Sequence, residues 1–369
     1  MSDNKTMPCA DLVAAIPTYR RTELLRLLLQ DLAAQTCSPN NVIVVDGDPG
    51  SGKVVEMLRN EHGNARQKYI YVPSNHANLA YQRFLAWSVA VRKCRGIILY
   101  LDDDMRISKP SAVDLLLAPI RGSENNIVGV TGSIIFGDAK GVPDENHLLK
   151  DRYLGNSRGT GGLAKCFGSG RNLAPGSLTP SGHRVPPTNS RQACTVQWLR
   201  GGVMAISLAA LTRECFSEDL FALSEIGCGH GEDTFLARRL CNFGNLALVP
   251  DAEFLHPNAD TPKAYAINAR RMGWGIAWSR RLLNDNYRWP KRPTILDRVS
   301  LIRSYAGNIL LNAVSALRSR KLQRLNYLLG YSCGAARGVW QSPANSLLSP
   351  AIDWDGDCRA AISRIEEIG

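Results

Sequence analysis

Residues 96–105 read GIILYLDDDM, an apolar run closing on Leu101 and followed at once by three aspartates. The apolar part has the length and composition of a buried strand. Three adjacent carboxylates at its end repel one another unless a cation or several donors sit among them. Hard oxygen ligands of this kind suit Mg2+ or Mn2+, which share their remaining coordination with water and substrate phosphates. On its own the triplet also reads as a solvated acidic turn that caps the next helix.

The same kind of strand recurs upstream. DLVAAI (11–16) is expected to stop at Pro17, after which Thr22 is placed to cap a helix whose Leu24, Leu25, Leu28 and Leu32 recur at helical spacing. NVIVV (41–45) is a second strand, ending on Asp46 and the turn-rich GDPGSG; a helix over 53–60, a strand over 68–72 and a helix over 76–94 lead into the opening stretch. Alternating helices and nearly continuous apolar strands predict an α/β fold, a mostly parallel Rossmann-like sheet covered on both faces. Ligands of such sheets bind beyond the carboxyl ends of the strands. Pro17, Thr18, Tyr19 and Arg21 fall there, as do Asp46 and Asp48, Ser74 and Asn75, and Asp102, Asp103 and Asp104.

Downstream, residues 155–193 are rich in Gly, Pro, Ser and Asn and predict a long loop, either a lid or a flexible excursion. CTVQWLRGGVMAI (194–206) predicts a strand pair, or one strand broken at Gly201 and Gly202, with a helix from about Ser207. GEDTFLARRLC predicts a short helix over 231–241 with Glu232 and Asp233 in its first turn, where acids suit the helix dipole. Strands over 245–249 and 252–255 lead to His256 and Pro257, and helices over 264–283 and 294–330 follow. There is no internal repeat.

Of 369 residues 44% are hydrophobic and 21% charged, ordinary for a water-soluble chain, and no apolar run is long enough to span a bilayer. The first twenty residues lack the pattern of a secretory signal. A cytoplasmic location is expected. The ten cysteines stand singly with no CxxC pair, so reduced thiols are expected.

The net charge of +11 is uneven: residues 263–340 hold fifteen Lys and Arg against Asp285 and Asp297, so this stretch carries +13 and the remainder −2. Such a segment seeks an anionic partner: a phosphate-bearing substrate, an anionic membrane surface or, least expected of the three, nucleic acid. Ile302, Ile309, Leu310, Val314 and Leu317, interleaved with Arg298, Arg303, Arg318 and Arg324, predict a basic amphipathic helix. It either docks on the body of the protein or lies peripherally on the inner face of the cytoplasmic membrane. Tyr265, Trp274, Trp278, Tyr287 and Trp289 are likewise core packing, sugar-stacking surfaces or lipid-interface anchors.

Taken in order, PTYRR after the first strand, VVD after the second, the Arg83 helix, LYLDDD, LRGG, GHGED and a late LH resemble the layout of family 2 glycosyltransferases of the GT-A fold, from about Val13 to His256. The resemblance implies a catalytic domain over 1–262, with a nucleotide-sugar half over about 11–105, an acceptor half over about 106–262, and a helical basic C-terminal region over 263–369. It implies that Asp102 and Asp104 end a DxD motif. Asp104, with Asp102 and His256, would hold the Mn2+ or Mg2+ that bridges the donor diphosphate. Pro17, Thr18, Tyr19, Arg21 and Asp46 would form the base and ribose pocket, with Asp102, Asp103 and Arg83 near the sugar and phosphates. Gly201 and Gly202, beside Trp198, would face the acceptor, and Asp233, next to Glu232, would be the general base. Two features depart from the family: VVDGDPGSG replaces the more usual paired aspartates, and the 155–193 loop exceeds what a minimal member needs.

The implied activity is metal-dependent, inverting transfer of a sugar from a nucleotide diphosphate to a glycan or lipid-linked acceptor in cell-surface polysaccharide or glycolipid synthesis. Two other functions fit parts of the pattern. A sugar-phosphate nucleotidyltransferase normally opens with a glycine-rich loop that PTYRR lacks. A non-catalytic protein binding nucleic acid or an anionic membrane surface on a degenerate transferase scaffold would not need Asp102, Asp104, Asp233 and His256 together.

Overall fold

Every apolar run around the DDD triplet enters one sheet. The computed structural model describes residues 7–62, 67–122, 124–137, 174–185, 187, 192–257, 269–319, 322–340 and 352–368. Its strands are β1 (Met7–Thr18), β2 (Cys37–Asp46), β3 (Lys68–Pro73), β4 (Ile97–Leu101), β5 (Ile127–Gly137), β6 (Cys194–Val196), β7 (Val203–Ser207), β8 (Asn245–Pro257) and β9 (Glu366–Ile368). They lie in the order β6-β8-β5-β7-β4-β1-β2-β3-β9. β1 is parallel to β2 and β4, β2 to β3, and β5 to β8. β7 runs antiparallel between β4 and β5, and β6 and β9 run antiparallel at the two edges.

Alternation of side chains explains why these strands are apolar throughout. Leu12, Ala14 and Ile16 of β1, with Ile97, Leu99 and Leu101 of β4, join one core with helices α1 (Thr22–Ala33), α2 (Lys53–His62) and α4 (Ala112–Arg121). Val13 and Ala15, with Ile98 and Tyr100, face the opposite core, built on α3 (Leu79–Lys93). Successive residues point to opposite faces, so a strand covered on both sides has no polar face. The Asn78 side chain caps α3 by accepting from the Tyr81 N–H at 3.1 Å, so the helix starts later than its apolar pattern.

Several local expectations change. β1 continues past Pro17 to Thr18, which pairs with Asp46. No helix begins at Ser207: Leu208 N–H donates to Gly96 O at 2.8 Å, and a turn at Arg213–Cys215 leads to α5 (Glu218–Glu225) and then α6 (Glu232–Leu240). The late pair of strands is the single β8, irregular opposite Gly132. Cys9 and Cys37 are joined in a disulfide with Cα atoms 5.5 Å apart. This corrects the expectation of reduced thiols throughout: parallel pairing of β1 with β2 sets Cys37 opposite Met7 and Cys9 opposite Pro39, so the two cysteines are diagonal neighbours, a proximity that 28 residues of separation conceal. The other seven described cysteines are free; Cys166 lies outside the described residues.

Most of the 155–193 loop also lies outside them. Its described part includes a strap, 174–185, folded on itself through Val185 N–H to Ser177 O at 2.8 Å and Thr179 N–H to His183 O at 2.9 Å.

The C-terminal helices are α7 (Ala269–Asp285), α8 (Ile295–Ser319), α9 (Leu322–Trp340) and α10 (Trp354–Ile362). Trp278, Leu282 and Leu283 plant α7 in the α3-side core. Trp274 stacks on Trp278, with centroids 5.5 Å apart, inside that packing. Tyr265 lies outside the described residues, and Tyr287 and Trp289 lie under Arg238 and Arg239. α8 and α9 pack on α7 through Leu301, Tyr305, Tyr331 and Ala335. Gly330 faces the Arg270 carbonyl so closely that a Cβ there would collide with it. Among the described residues no helix is long and apolar enough to cross a membrane.

Candidate active site

β1 is flanked by β2 on one side and β4 on the other. The chain leaves toward β2 and β3 first and returns to place β4 on the opposite side, making a topological switch point at the carboxyl ends of β1 and β4. Thr18 and Arg21 arrive from β1, and Asp102, Asp103 and Asp104 from β4.

The three aspartates take different partners. Asp103 accepts from Thr18 Oγ1 at 2.7 Å and from Arg21 Nη1 at 3.2 Å. Asp104 accepts from the same Arg21 nitrogen at 2.6 Å, and its Oδ1 lies 3.5 Å from His256 Nε2 at the far end of β8. Asp102 turns the other way and accepts from Arg83 Nη2 at 2.8 Å. Burial pushes the Asp102 carboxyl up to about 6, with Arg83 opposing and the charges of Asp104 and Glu232 adding to the rise. Burial likewise raises Asp103, against the donors Thr18 and Arg21.

Arg83 projects from α3 and is 2% exposed. It donates to Asp102, to the Gly201 carbonyl at 2.7 Å and to Glu232 Oε1 at 2.9 Å. The Gly201 N–H in turn donates to Asp233 Oδ2 at 2.9 Å. A Cβ on Gly201 would lie 3.3 Å from both Arg83 Nη2 and Asp233 Oδ2, and one on Gly202 would crowd Ile134 and Met105. The glycine pair thus leaves room for the guanidinium and the carboxylate.

Asp233 stands in the first turn of α6. Its Oδ1 accepts from Thr234 N–H at 2.6 Å and Thr234 Oγ1 at 3.1 Å, and its Oδ2 also accepts from Arg184 Nη2 at 2.6 Å. Burial alone would raise its carboxyl; the Arg184 charge and hydrogen bond, joined by Arg83 and His230, hold it below the usual carboxylate range. Arg184 comes from the strap and is not marked by any local sequence pattern. Only its position in a long loop beside a catalytic-type fold hints at it.

Toward β2, a cleft of about 960 Å3 is lined by Arg20, Arg21, Asp46, Asp48, Ser51 and Lys53, among others. Its size falls in the range of small-molecule sites. Asp46 is buried beneath it, accepting from Asp48 N–H at 2.9 Å and Tyr71 Oη at 3.1 Å, and burial raises its carboxyl. Asp48 pairs with Arg20, whose guanidinium also lies 4.9 Å from the Tyr19 ring. Pro17 contributes backbone at the end of β1. Trp198 is buried, with the guanidinium groups of Arg184 and Arg200 over its ring at 5.8 and 5.9 Å. Its face is therefore covered. Gln82, unmarked in the sequence, ties the ends of β1 and β2 together by donating to Thr18 O at 3.0 Å and Val45 O at 2.9 Å.

An acidic switch point at the end of a mostly parallel sheet, beside a cleft of small-molecule size, is where ligands of such α/β folds bind. The family described as Glycosyl transferase family 2 matches residues 14–171, from the middle of β1 past the DDD triplet. The match spans under half of the chain and marks residues 14–171 as a family 2 glycosyltransferase domain.

Among solved structures, the chain is similar to a mannosyltransferase from Pyrobaculum calidifontis in complex with GDP-Man and Mn2+, at 15% identity and TM-score 0.46 over 89% of this chain and 87% of that one. It is similar to S. aureus TarS 1-349 at 14% identity and TM-score 0.41, covering 88% of this chain and 90% of that one. It is similar to glucosyl-3-phosphoglycerate synthase from Mycobacterium tuberculosis in complex with Mg2+ and UDP at 13% identity and TM-score 0.38, covering 73% and 78%. No curated protein matches the chain.

Proposed function

We propose that the protein is a metal-dependent, inverting glycosyltransferase that moves a sugar from a nucleotide diphosphate to a hydroxyl of a glycan or lipid-linked acceptor in cell-surface glycan synthesis. One observation supports this above all: a continuous polar chain, Asp102 to Arg83 to Gly201 to Asp233, joins the strand end where a diphosphate would lie to a carboxylate on the opposite wall.

Asp104 and His256 would hold Mg2+ or Mn2+. The donor chemistry fits at one oxygen: Asp104 Oδ1 and the His256 imidazole face each other at 3.5 Å, while Arg21 occupies Oδ2 and would have to yield to a cation that took both oxygens. Among the described residues no three ligating side chains gather; Mg2+ and Mn2+ commonly take further ligands from phosphate and water. When bound, such an ion neutralises the charge growing on the departing diphosphate. Asp102, expected as a further ligand, is instead engaged by Arg83.

The chain's own residues divide the remaining work. Asp233 takes the proton of the acceptor hydroxyl as its oxygen bonds to the anomeric carbon and the carbon–phosphate-oxygen bond breaks. Attack from the face opposite the diphosphate inverts the configuration, as in displacement by an activated nucleophile in inverting hydrolases. Arg83 fixes the distance between the two sides, and Arg20, Arg21, Asp46 and Asp48 frame the nucleotide.

The decisive assay measures turnover of UDP-, GDP- and dTDP-sugars by the wild type, Asp104→Asn and Asp233→Asn. Loss of turnover in both variants is expected; full turnover in either removes its assigned role.

The C-terminal helices support peripheral attachment to an anionic bilayer. Ile295, Leu296, Leu317, Leu322 and Trp340 are each at least 70% exposed, and Lys291, Arg292, Arg303, Arg318 and Arg324 are exposed around them. Apolar side chains with basic neighbours suit an anionic lipid interface. Flotation with phosphatidylglycerol vesicles should carry the wild type and leave an Ile295→Ser/Leu296→Ser/Trp340→Ser variant behind; equal flotation of both retires this surface.

A further inference from the structure

Asp233 is saturated. A carboxylate offers about four lone-pair sites, and four donors fill them: Thr234 N–H and Oγ1 on Oδ1, Gly201 N–H and Arg184 Nη2 on Oδ2. A base with every site occupied has nowhere to receive a proton. One donor has to leave before the acceptor hydroxyl can approach.

Three of the four are fixed. Gly201 is held by Arg83 through its own carbonyl, and Thr234 is buried in the first turn of α6. Arg184 differs, since its side chain is 32% exposed and can swing toward the solvent. Its backbone does not need to follow. Leu178 bridges to Arg184 within the strap, Asn284 of α7 donates to Pro180 O at 3.0 Å, and His183 Nε2 lies 2.9 Å from Ser304 Oγ of α8. The guanidinium therefore moves about an anchored stem. The buried Trp198 ring beneath it offers a flat surface along which a guanidinium is retained.

We propose that Arg184 is a latch on Asp233, and that an acceptor carrying an anionic group beside its hydroxyl opens the latch by giving the guanidinium a new partner. This rests on Asp233 being the base. The latch gives the acceptor class a physical cause. Separating a charge-assisted pair is unfavourable unless another anion replaces the carboxylate, and neither water nor a neutral sugar supplies one. The charged and titratable groups facing Asp233 are Arg184 from the strap, Arg83 from α3, His230 ahead of α6, and Glu232 beside it. Arg200 adds further positive charge across Trp198. With the latch shut, water is not activated and a bound donor sugar is spared hydrolysis.

In the latch reaction the acceptor proton passes to Asp233 Oδ2, the acceptor oxygen bonds to the anomeric carbon, and the nucleoside diphosphate leaves with the electron pair of the broken bond. Arg184 gains the acceptor's anion and loses Asp233. The test is donor hydrolysis without acceptor, measured on the full chain with the sugar nucleotide it turns over. Arg184→Ala should hydrolyse donor about tenfold faster than the wild type, the scale of one charge-assisted hydrogen bond, and Arg184→Ala/Asp233→Asn should lose that gain. Sodium sulfate, compared with sodium chloride at equal ionic strength, should accelerate hydrolysis by the wild type and not by Arg184→Ala.

The acid limb of the hydrolysis profile should also move to higher pH in Arg184→Ala, because the main cation holding the Asp233 carboxyl down is gone. Hydrolysis by Arg184→Ala at or below the wild-type rate, or a wild type indifferent to sulfate, overturns the latch. The sulfate measurement needs no variant to fold. Asp233→Asn hydrolysing and transferring at the wild-type rate overturns the base itself, a separate outcome.

Discussion

Replacing Arg83 by Met tests the polar chain that spans the site. The guanidinium is almost fully buried and makes three hydrogen bonds, to Asp102, Glu232 and the Gly201 carbonyl. Met keeps much of the side-chain volume and removes all three. Deleting one partner of a buried ion pair costs about 3–5 kcal/mol, mostly because the other charge is left uncompensated. Asp102 and Glu232 retain 26% and 20% side-chain exposure, so water recovers part of that loss and the expected figure is about 3 kcal/mol. Urea unfolding followed by tryptophan fluorescence reads it directly. Adding Glu232→Gln to Arg83→Met should recover a share of the loss, a coupling of about 0.5–3 kcal/mol, because it removes one orphaned charge. Turnover of Arg83→Met should drop about 100-fold as the two walls lose their register. A variant within about 1 kcal/mol of the wild type, with no coupling to Glu232, refutes the account of Arg83 as the strut between Asp102 and Asp233.

Asp104→Asn should abolish the extra nucleotide affinity that Mn2+ confers in titration calorimetry; equal enhancement in the variant removes Asp104 from the metal site. Asp297 is held below its ordinary carboxyl value: burial opposes the shift, but Arg288 and the Thr294 donors outweigh it. Its contribution to stability is therefore present above about pH 4 and lost as pH falls through the depressed value. Asp297→Asn should be destabilised near neutrality and converge on the wild type in acid; a gap that widens in acid contradicts this sign. Gly330→Val should overpack α7 against α9 and cost about 1–3 kcal/mol, and an unchanged melting temperature would mean that these helices are not in tight contact.

The sheet was legible where composition tracks burial. Strands buried on both faces must be apolar throughout, so β1, β2 and β4 announce themselves, and Thr18, Arg21 and Asp102 to Asp104, at or just beyond the ends of β1 and β4, lie at the switch point. The helix over 231–241 and the convergence of Asp104 with His256 followed from the order of the motifs. What was hidden depends on contacts distant in the chain. Arg184 reaches Asp233 across 49 residues, with no spacing to betray it. Cys9 and Cys37 meet only through strand pairing, and Ser207 ends a strand because Gly96 accepts from the next N–H, although SLAAL looks helical. The helix expected over 294–330 separates into α8 and α9, a break that continuous amphipathic patterning does not reveal. The C-terminal region divides in a way that charge alone misses: α7 is rooted in the core, whereas α8 and α9 turn apolar side chains outward.

The short strand β9 closes the exposed margin of β3. Arg59 clasps Glu366 there, while His76, just before α3, contacts Asp357 of α10. Residues near the end of the sequence thus brace the β3 side of the sheet rather than the helices α7 to α9 that precede them. Clipping the chain after α9 would bare unpaired amides along β3, inviting edge-to-edge association. A truncation that removes α10 and β9 would then disturb solubility and the packing of β3 together, whereas internal point changes on α8 and α9 leave that seam closed.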